Sequence, residues 1–400
     1  MANDATARGW LVPVFALSLS AFAVCTSELI VAGLLPALAA EFSVDIPTTG
    51  LLISGYAIGV AVASPLLALA TAGVSRRLLL IGVLVLFVAA TILCAVSTSY
   101  WMLLGARLLV ACCHGLFFGV AMVIATRVAP AERQTSAVSL VIAGVTLSAV
   151  LGIPIGTAIG NVFGWRATFW VIAAAGIVAA IALTLLIPKT PDPPRNADNL
   201  RAELRAVVRP VVLMCFAIIV LFMMGVFTLF AYLVPLLTTL SGIPIAYVPW
   251  VQFGMGFAGI FGNLIGGRLA DWKSTATMIG ILVFFIVFTL ILALVATNAW
   301  ATVALLCAAW LVGFGFPAPA QGRVLKEASD APNFASTLVS TAFNTGIAAG
   351  AAIGGAVIAA GWGYGALPLV DAGFLTLALL GTLGLAAYER RRPVAAATPA

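Results

Sequence analysis

Long apolar windows alternate with short polar breaks along this chain. A helix needs about 20 apolar residues to cross the hydrocarbon core of a bilayer, and twelve windows have roughly that length. The windows, numbered spans 1 to 12, cover residues 11–38, 48–70, 78–97, 101–128, 135–160, 167–187, 210–239, 246–270, 276–296, 300–325, 333–360 and 366–387. The pattern predicts an all-α polytopic membrane protein with twelve transmembrane helices.

Lysine and arginine are concentrated in the breaks that follow even-numbered spans. Arg76 and Arg77 follow span 2, and similar groups follow spans 4, 6, 8, 10 and 12, whereas only Arg107 and Arg166 depart from the alternation. By the positive-inside rule, this distribution predicts that both termini are cytoplasmic. The expected location is therefore the plasma (cytoplasmic or inner) membrane, with the lipid bilayer as the protein's surroundings.

The two halves of the chain resemble each other. "GIPIGTAIGNVFGW" aligns with "GAAIGGAVIAAGW", so that Gly152 matches Gly350 and Gly156 matches Gly354 at a shift of 198 residues. The one long polar stretch, 188–209, separates the copies. We expect a six-helix bundle over 1–187, a cytoplasmic linker, and a pseudo-symmetric six-helix bundle with a short tail over 210–400. Parallel repeats of this kind are typical of transporters whose substrate site lies near the midplane.

Composition excludes several other classes of protein. The chain is 63% hydrophobic and 8% charged, against roughly 25% charged in soluble domains. Its basic residues are scattered, so the net charge of +6 does not indicate a nucleic-acid partner. The six cysteines lie in apolar windows, and His114 is the lone histidine, so we expect no metal and no cofactor. No phosphate-binding loop or nucleophile turn indicates an enzyme.

Glu28 lies inside the first apolar window. A carboxylate near the bilayer midplane costs about 2.5–3.5 kcal/mol on insertion scales unless it is protonated, paired or in contact with water, so it indicates function by default. The alternative is a carboxylate that pairs or snorkels for structural reasons alone.

Span 5 contains Gly144, Gly152, Pro154 and Gly156. Small residues let helix backbones approach closely, and a proline frees a carbonyl and bends its helix. The combination favours a tightly packed helix at a moving interface, with ordinary tight packing as the alternative.

With these motifs, the chain resembles the twelve-span drug:proton antiporters of the major facilitator superfamily. The span 5 pattern is similar to the family's antiporter motif, and "TSELIVAGLLPALA", "ARLLVACCHG" and "GWRATF" are similar to parts of spans 1, 4 and 6. The resemblance covers nearly the whole chain and implies the major facilitator fold. It fits a branch that exports chloramphenicol-like drugs, arabinose-like sugars or purines.

A loop motif of the same family is similar to "GGRLADWK" (266–273), and this likeness implies that Asp271 is an acidic gate residue. The copy in the first half departs from the motif. Ala72 stands where an aspartate is expected, so that Arg76 and Arg77 are what remains of the motif there.

Depth estimates bring three ionisable groups together. At 1.5 Å per residue, Glu28 lies about 5 Å outside the midplane, His114 at the midplane, and Arg107 about 10 Å outside it. Arg107 and His114 are seven residues apart and share one helix face. We predict that Glu28 binds the coupling proton and that Arg107 tunes its affinity. His114 is a weaker candidate for the same role, with a packing histidine as the alternative.

Other polar and aromatic residues fall at midplane depth and are candidates for substrate binding. Gln252 and Asn344 offer hydrogen bonds, while Phe230 and Tyr232 offer aromatic walls that would suit an amphipathic molecule. Asp371, near one end of span 12, is interpreted as interfacial.

The sequence therefore predicts a monomeric, proton-coupled secondary exporter of small amphipathic molecules that works by alternating access. Its partners would be a small-molecule substrate and protons. The alternatives are an uptake symporter or an exporter of a sugar or purine metabolite on the same fold, and a membrane receptor or enzyme without transport.

Overall fold

In the computed structural model, which describes residues 9–71, 73–187, 208–329 and 332–391, every predicted span is helical. The predicted linker, except for 208–209, lies outside the described residues, as do Ala72 and the tail beyond 391. The helices run over Leu11–Phe42, Ile46–Ala70, Arg76–Ala95, Tyr100–Val128, Gln134–Leu147 with Ile153–Phe163, Trp165–Leu186, Pro210–Phe230, Val248–Val295, Ala299–Gly313 with Pro317–Glu327, Pro332–Ala359 and Leu367–Arg391.

The number of membrane crossings agrees with the sequence. Eleven continuous helices within the described residues are long and apolar enough to cross a bilayer. One of them, Val248–Val295, has 48 residues and contains a non-helical residue, Lys273, with φ −148° and ψ 79°. At about 20 residues per crossing, this helix supplies both span 8 and span 9, which meet at Lys273 without a separate loop.

The internal repeat is visible in how the helices pack. On spans 5 and 11, glycines at matching positions leave no room for a Cβ, because spans 1 and 7 approach them closely. The neighbours of these glycines are also 198 residues apart. The contacts are Gly152 with Thr26, Gly350 with Met224, Gly156 with Ile30, and Gly354 with Thr228. The two bundles are therefore pseudo-symmetric at the level of individual contacts.

Span 5 departs from a regular helix immediately before its proline. Ser148–Gly152 form a single π-helical turn, in which the N–H of Ile153 donates to the carbonyl of Ser148. Pro154 has no N–H to donate, and a π-turn is one way in which a helix adjusts to the missing bond. The break lies where Gly256 of span 8 contacts the backbone of Ala149, at the boundary between the two bundles.

The loops between odd- and even-numbered spans lie at one end of the molecule, called here the distal end. Side chains from both bundles close it. Span 7 is interrupted after Phe230, and the hydroxyl of Tyr232 donates to the carbonyl of Ala351 at 2.8 Å. The Tyr232 hydroxyl also lies 2.1 Å from where a Cβ on Gly50 of span 2 would stand. Nearby, the side-chain amide of Asn161 donates to the carbonyl of Ile245 at 3.3 Å.

The opposite end, called the proximal end, carries the predicted gating residues. Arg77 donates to the carbonyls of Ile187 and Thr184 at 2.8 and 2.7 Å and so caps span 6, with Arg76 half-buried beside it. Asp271 is exposed and makes no hydrogen bond or ion pair within the described part of the chain. Arg77 therefore ties two helices of one bundle together, and the gating roles of these residues stay predictions.

The contact between spans 1 and 5 predicts a specific stability effect. A Cβ on Gly144 would lie 2.1 Å from the carbonyl oxygen of Ser18, so that backbone would have to move. We expect Gly144→Ala to destabilise the purified protein by about 1–3 kcal/mol, the cost of overpacking, measured by thermal unfolding in detergent. Gly119→Ala is the matched control, because a Cβ there meets nothing within 4 Å. Equal stability of the two variants would contradict this packing.

Candidate functional site

A small cavity lies between the two bundles. Glu28 and Tyr56 line it from spans 1 and 2, while Phe227, Phe230 and Ile347 line it from spans 7 and 11. The space open to the centre of a water-sized sphere is about 10 Å³, which is room for about one water molecule. A carboxylate therefore faces a cavity whose walls come from both halves, and a drug-sized molecule would require the cavity to enlarge.

The Glu28 carboxylate meets the imidazole of His114. Glu28 Oε2 lies 3.7 Å from His114 Nδ1, and the two side chains are 13% and 9% exposed. The same nitrogen lies 3.0 Å from the hydroxyl of Tyr56. A neutral ring can accept the tyrosine hydrogen, whereas a protonated ring would donate from Nδ1 and form an ion pair with the carboxylate. The three side chains can thus hold a proton in more than one place.

Arg107 is fully buried, and its guanidinium binds main chain. It donates to the carbonyls of Ser27 and Glu28, the latter at 2.9 Å, and its Cζ lies 4.2 Å from the centre of the Tyr56 ring. No ion pair joins it to the Glu28 carboxylate within the described residues. Arg107, Glu28 and His114 lie close together, as the depth estimates from the sequence predicted. The side chain that faces the carboxylate, however, is the histidine, because Arg107 reaches past it to the backbone of span 1.

The cluster contains one residue that the sequence analysis did not single out. Cys25, one turn before Glu28, contributes a sulfur atom to a group in which one atom each from Cys25, Glu28 and His114 lie within 4.8 Å of one another. Three donors are fewer than the four of a structural zinc site, and no metal is assigned to them. Tyr56 was also missed. Its signal was a lone tyrosine about halfway along an otherwise apolar window.

Gln252 and Asn344 are both buried at the boundary between the bundles. The Gln252 amide nitrogen lies 3.4 Å from where a Cβ on Gly33 of span 1 would stand, so Gln252 reaches across from span 8. Asn344 donates to the carbonyl of Ser340 at 3.0 Å. The side-chain oxygens of Gln252 and Asn344 have no partner in the described part of the protein. Each is therefore a buried acceptor available to a ligand.

The two aromatic candidates have different surroundings. Phe230 lines the cavity and lies 5.5 Å from the ring of Trp310. Tyr232 is 1% exposed and packs between the bundles at the distal end, away from the cavity walls. In this conformation Tyr232 closes the distal end and does not line the cavity, and its role in substrate binding stays a prediction.

Asp371 is not interfacial, and this expectation was wrong. The residue is completely buried. The sequence correctly indicated that it lies near an end of span 12, but depth alone does not tell which face of the helix a side chain occupies. Here the carboxyl group points towards span 7, where Gly225 leaves room for it.

Comparisons with known proteins agree with this architecture. The family model described as Major Facilitator Superfamily matches residues 17–331. The chain is 37% identical over 371 residues to "Inner membrane transport protein YdhP" of Escherichia coli O157:H7, covering 92% of the chain and 94% of that relative. It is 34% identical over 373 residues to "Uncharacterized MFS-type transporter YtbD" of Bacillus subtilis, with coverage of 91% and 94%.

A solved structure gives the same fold. A bacterial homologue of the human lysosomal transporter Spinster, in an inward-facing and occupied conformation, superposes with a TM-score of 0.78 at 15% identity, covering 97% of this chain and 99% of that one. Its unoccupied inward-facing form gives a TM-score of 0.73.

The two carbonyl contacts of Arg107 predict that lysine cannot replace it. An ammonium lacks the planar fork that reaches two acceptors and stacks on a ring. We expect Arg107→Lys to lower the stability of the purified protein by about 1–3 kcal/mol, measured by thermal unfolding. Arg133→Lys is the control, because Arg133 is exposed in the turn before span 5. Arg107→Lys as stable as Arg133→Lys would contradict the assignment.

Proposed function

The chain belongs to the Major Facilitator Superfamily and is therefore a membrane transporter rather than an enzyme, and we propose that it is a proton-coupled antiporter that exports small amphipathic molecules. The observation that carries the proposal is the position of Glu28. Its carboxylate lines a cavity walled by both bundles and faces His114 at 3.7 Å. A relative movement of the bundles would change the surroundings of this one ionisable group.

In alternating access, the two bundles move relative to each other, so that the central site opens to one side of the membrane at a time. In this conformation Tyr232 of span 7 packs against Gly50 of span 2 at the distal end of the molecule. Opening the distal end would separate Gly50 of span 2 from Tyr232 of span 7 and admit water to Glu28. Under the predicted orientation, the distal end faces the outside of the cell.

Proton exchange then follows from the change in solvation. A hydrated carboxylate near a buried guanidinium is stable as the anion, whereas the same carboxylate in a dry pocket is stable as the acid. Glu28 would therefore take up a proton from distal water as the distal side closes and its pocket dries, and would release that proton when water enters from the proximal side. The imidazole of His114, whose Nδ1 contacts the Tyr56 hydroxyl, offers a second acceptor for that proton.

The proton gradient provides enough energy for export. One proton moving inward is worth about 2.3 kcal/mol per 100 mV, which sustains a gradient of about 50-fold for an uncharged substrate. Phe227 and Phe230 would contact the apolar part of that substrate. Gln252 and Asn344 would supply hydrogen bonds through their unpartnered oxygens. These features suit a compact amphipathic molecule of the chloramphenicol type.

We expect Glu28→Gln to abolish proton-driven export, because the amide has nearly the same shape but does not titrate. Cells that lack their own drug pumps would express wild type or variant, and resistance to a panel of amphipathic antibiotics including chloramphenicol would be measured with and without an uncoupler. Wild type should raise resistance severalfold in an uncoupler-sensitive way, and Glu28→Gln should not.

Glu41→Gln is the matched control, since Glu41 is exposed and pairs only with the surface residue Arg166. Its export should equal that of wild type. Full, uncoupler-sensitive export by Glu28→Gln would overturn the proton site. Accumulation of the probe inside the cells would instead identify an uptake symporter.

A further inference from the structure

Asp371 is a second buried carboxyl group, which does not line the cavity and has no part in the transport mechanism described above. Its side chain is 0% exposed. Neither carboxyl oxygen has a hydrogen-bond partner among the described residues. A buried ionised carboxylate without a partner is very unfavourable, so a group in this setting is held as the neutral acid.

A glycine on span 7 leaves a space for the Asp371 carboxyl group, and this space is called here the niche. Asp371 Oδ1 lies 2.6 Å from where a Cβ on Gly225 would stand, so only glycine on span 7 leaves room for it. Thr289 of span 9 lies against the niche, but its hydroxyl donates to the carbonyl of Phe285 at 2.8 Å. Among the described residues, the spans packed against Asp371 bring no charged side chain to it. Their nearest titratable groups, Tyr232 on span 7 and Tyr364 before span 12, are each seven residues along the chain from the contact.

The corresponding place in the first bundle contains no carboxyl group. Span 6, the counterpart of span 12, contains no acidic residue, and at the shift of 198 residues Gly225 corresponds to Ser27 of span 1. The surrounding framework is otherwise retained, since the hydroxyl of Thr91 donates to the carbonyl of Phe87 as its counterpart does in the second bundle. The carboxyl group is thus a specific addition to one bundle and is not needed to build the fold.

The niche lies beside the segment that closes the distal end. Gly225 is seven residues before Tyr232 on span 7, about 10 Å at the helical rise. Span 7 loses its regular helix between the two, after Phe230. Asp371 is itself only four residues inside the distal end of span 12. If Tyr232 withdraws from Gly50 and the distal end opens, the segment of span 7 beyond Phe230 would move relative to the end of span 12, which would give water a route to Asp371 from the distal side.

We propose that Asp371 is a second proton-binding site, which exchanges its proton only with the distal side and, when protonated, stabilises the closed distal end. The proton comes from distal water and returns there when the end reopens, so no net charge crosses the membrane through this site. Because binding and conformation are linked, a proton that binds more tightly to the closed state must favour closure. The inference rests on the alternating-access mechanism of the proposed function.

The test is infrared spectroscopy of the full chain reconstituted in lipid, titrated with pH and requiring no substrate. The carbonyl stretch of a protonated carboxylic acid reports the neutral form. We expect Asp371→Asn to lose one such band that both wild type and Glu28→Gln retain. In Tyr232→Ala, which removes the distal closure, the same band should disappear at a pH at least about one unit lower, a tenfold weaker proton affinity.

Two further variants make the result decisive. Tyr232→Phe keeps the ring and removes only the hydrogen bond to Ala351, so its shift should be smaller and in the same direction even if Tyr232→Ala folds poorly. Tyr247→Ala alters an exposed tyrosine at the same end and should match wild type. Identical acid bands in wild type and Asp371→Asn would overturn the proposal, as would a band that none of the Tyr232 variants moves. Failed export by wild type would count only against the proposed function.

Discussion

An ionisable side chain inside an apolar helix bundle persists only where its surroundings stabilise one of its charge states, and this constraint organises the whole molecule. The Arg107 guanidinium is stabilised by hydrogen bonds to two main-chain carbonyls and by the face of the Tyr56 ring. The Glu28 carboxylate lies beside His114 and lines a small cavity. Asp371 is completely buried, its carboxyl oxygens have no hydrogen-bond partner among the described residues, and it fits only as the neutral acid. Each group is therefore sensitive, to a different degree, to how the helices around it are arranged.

The packing that surrounds these groups explains how the arrangement can change. Within each bundle, glycines let spans 1 and 5, and spans 7 and 11, approach to backbone or near-backbone contact, which holds the middle of each bundle together. Between the bundles, span 2 packs along span 11, and the contacts include a tyrosine that packs against a glycine. Alternating access requires two bundles that keep their own packing while the contacts between them open on one side at a time.

The sequence predicts the fold well because length and hydropathy are local properties. Twelve apolar windows gave twelve crossings, although the loop expected near Lys273 is only a single non-helical residue. The glycine matches revealed the repeat because glycines mark close helix contacts. The site was harder to predict. The depth of a residue in the membrane follows from its position along one helix, but the direction in which its side chain points depends on the helices packed around it. Arg107 therefore met the backbone rather than the carboxylate, Tyr56 was overlooked, and Asp371 was placed at the surface.

The central claim is that protonation of Glu28 is coupled to the relative position of the bundles. Dyes attached through non-natural amino acids at two exposed distal positions, Thr98 in the loop before span 4 and Trp300 at the start of span 10, would report that position by single-molecule energy transfer as pH is varied. We predict that the pH-dependent change in this distance is smaller in Glu28→Gln than in wild type and intact in Glu41→Gln. An identical pH response in the two glutamine variants would contradict the account.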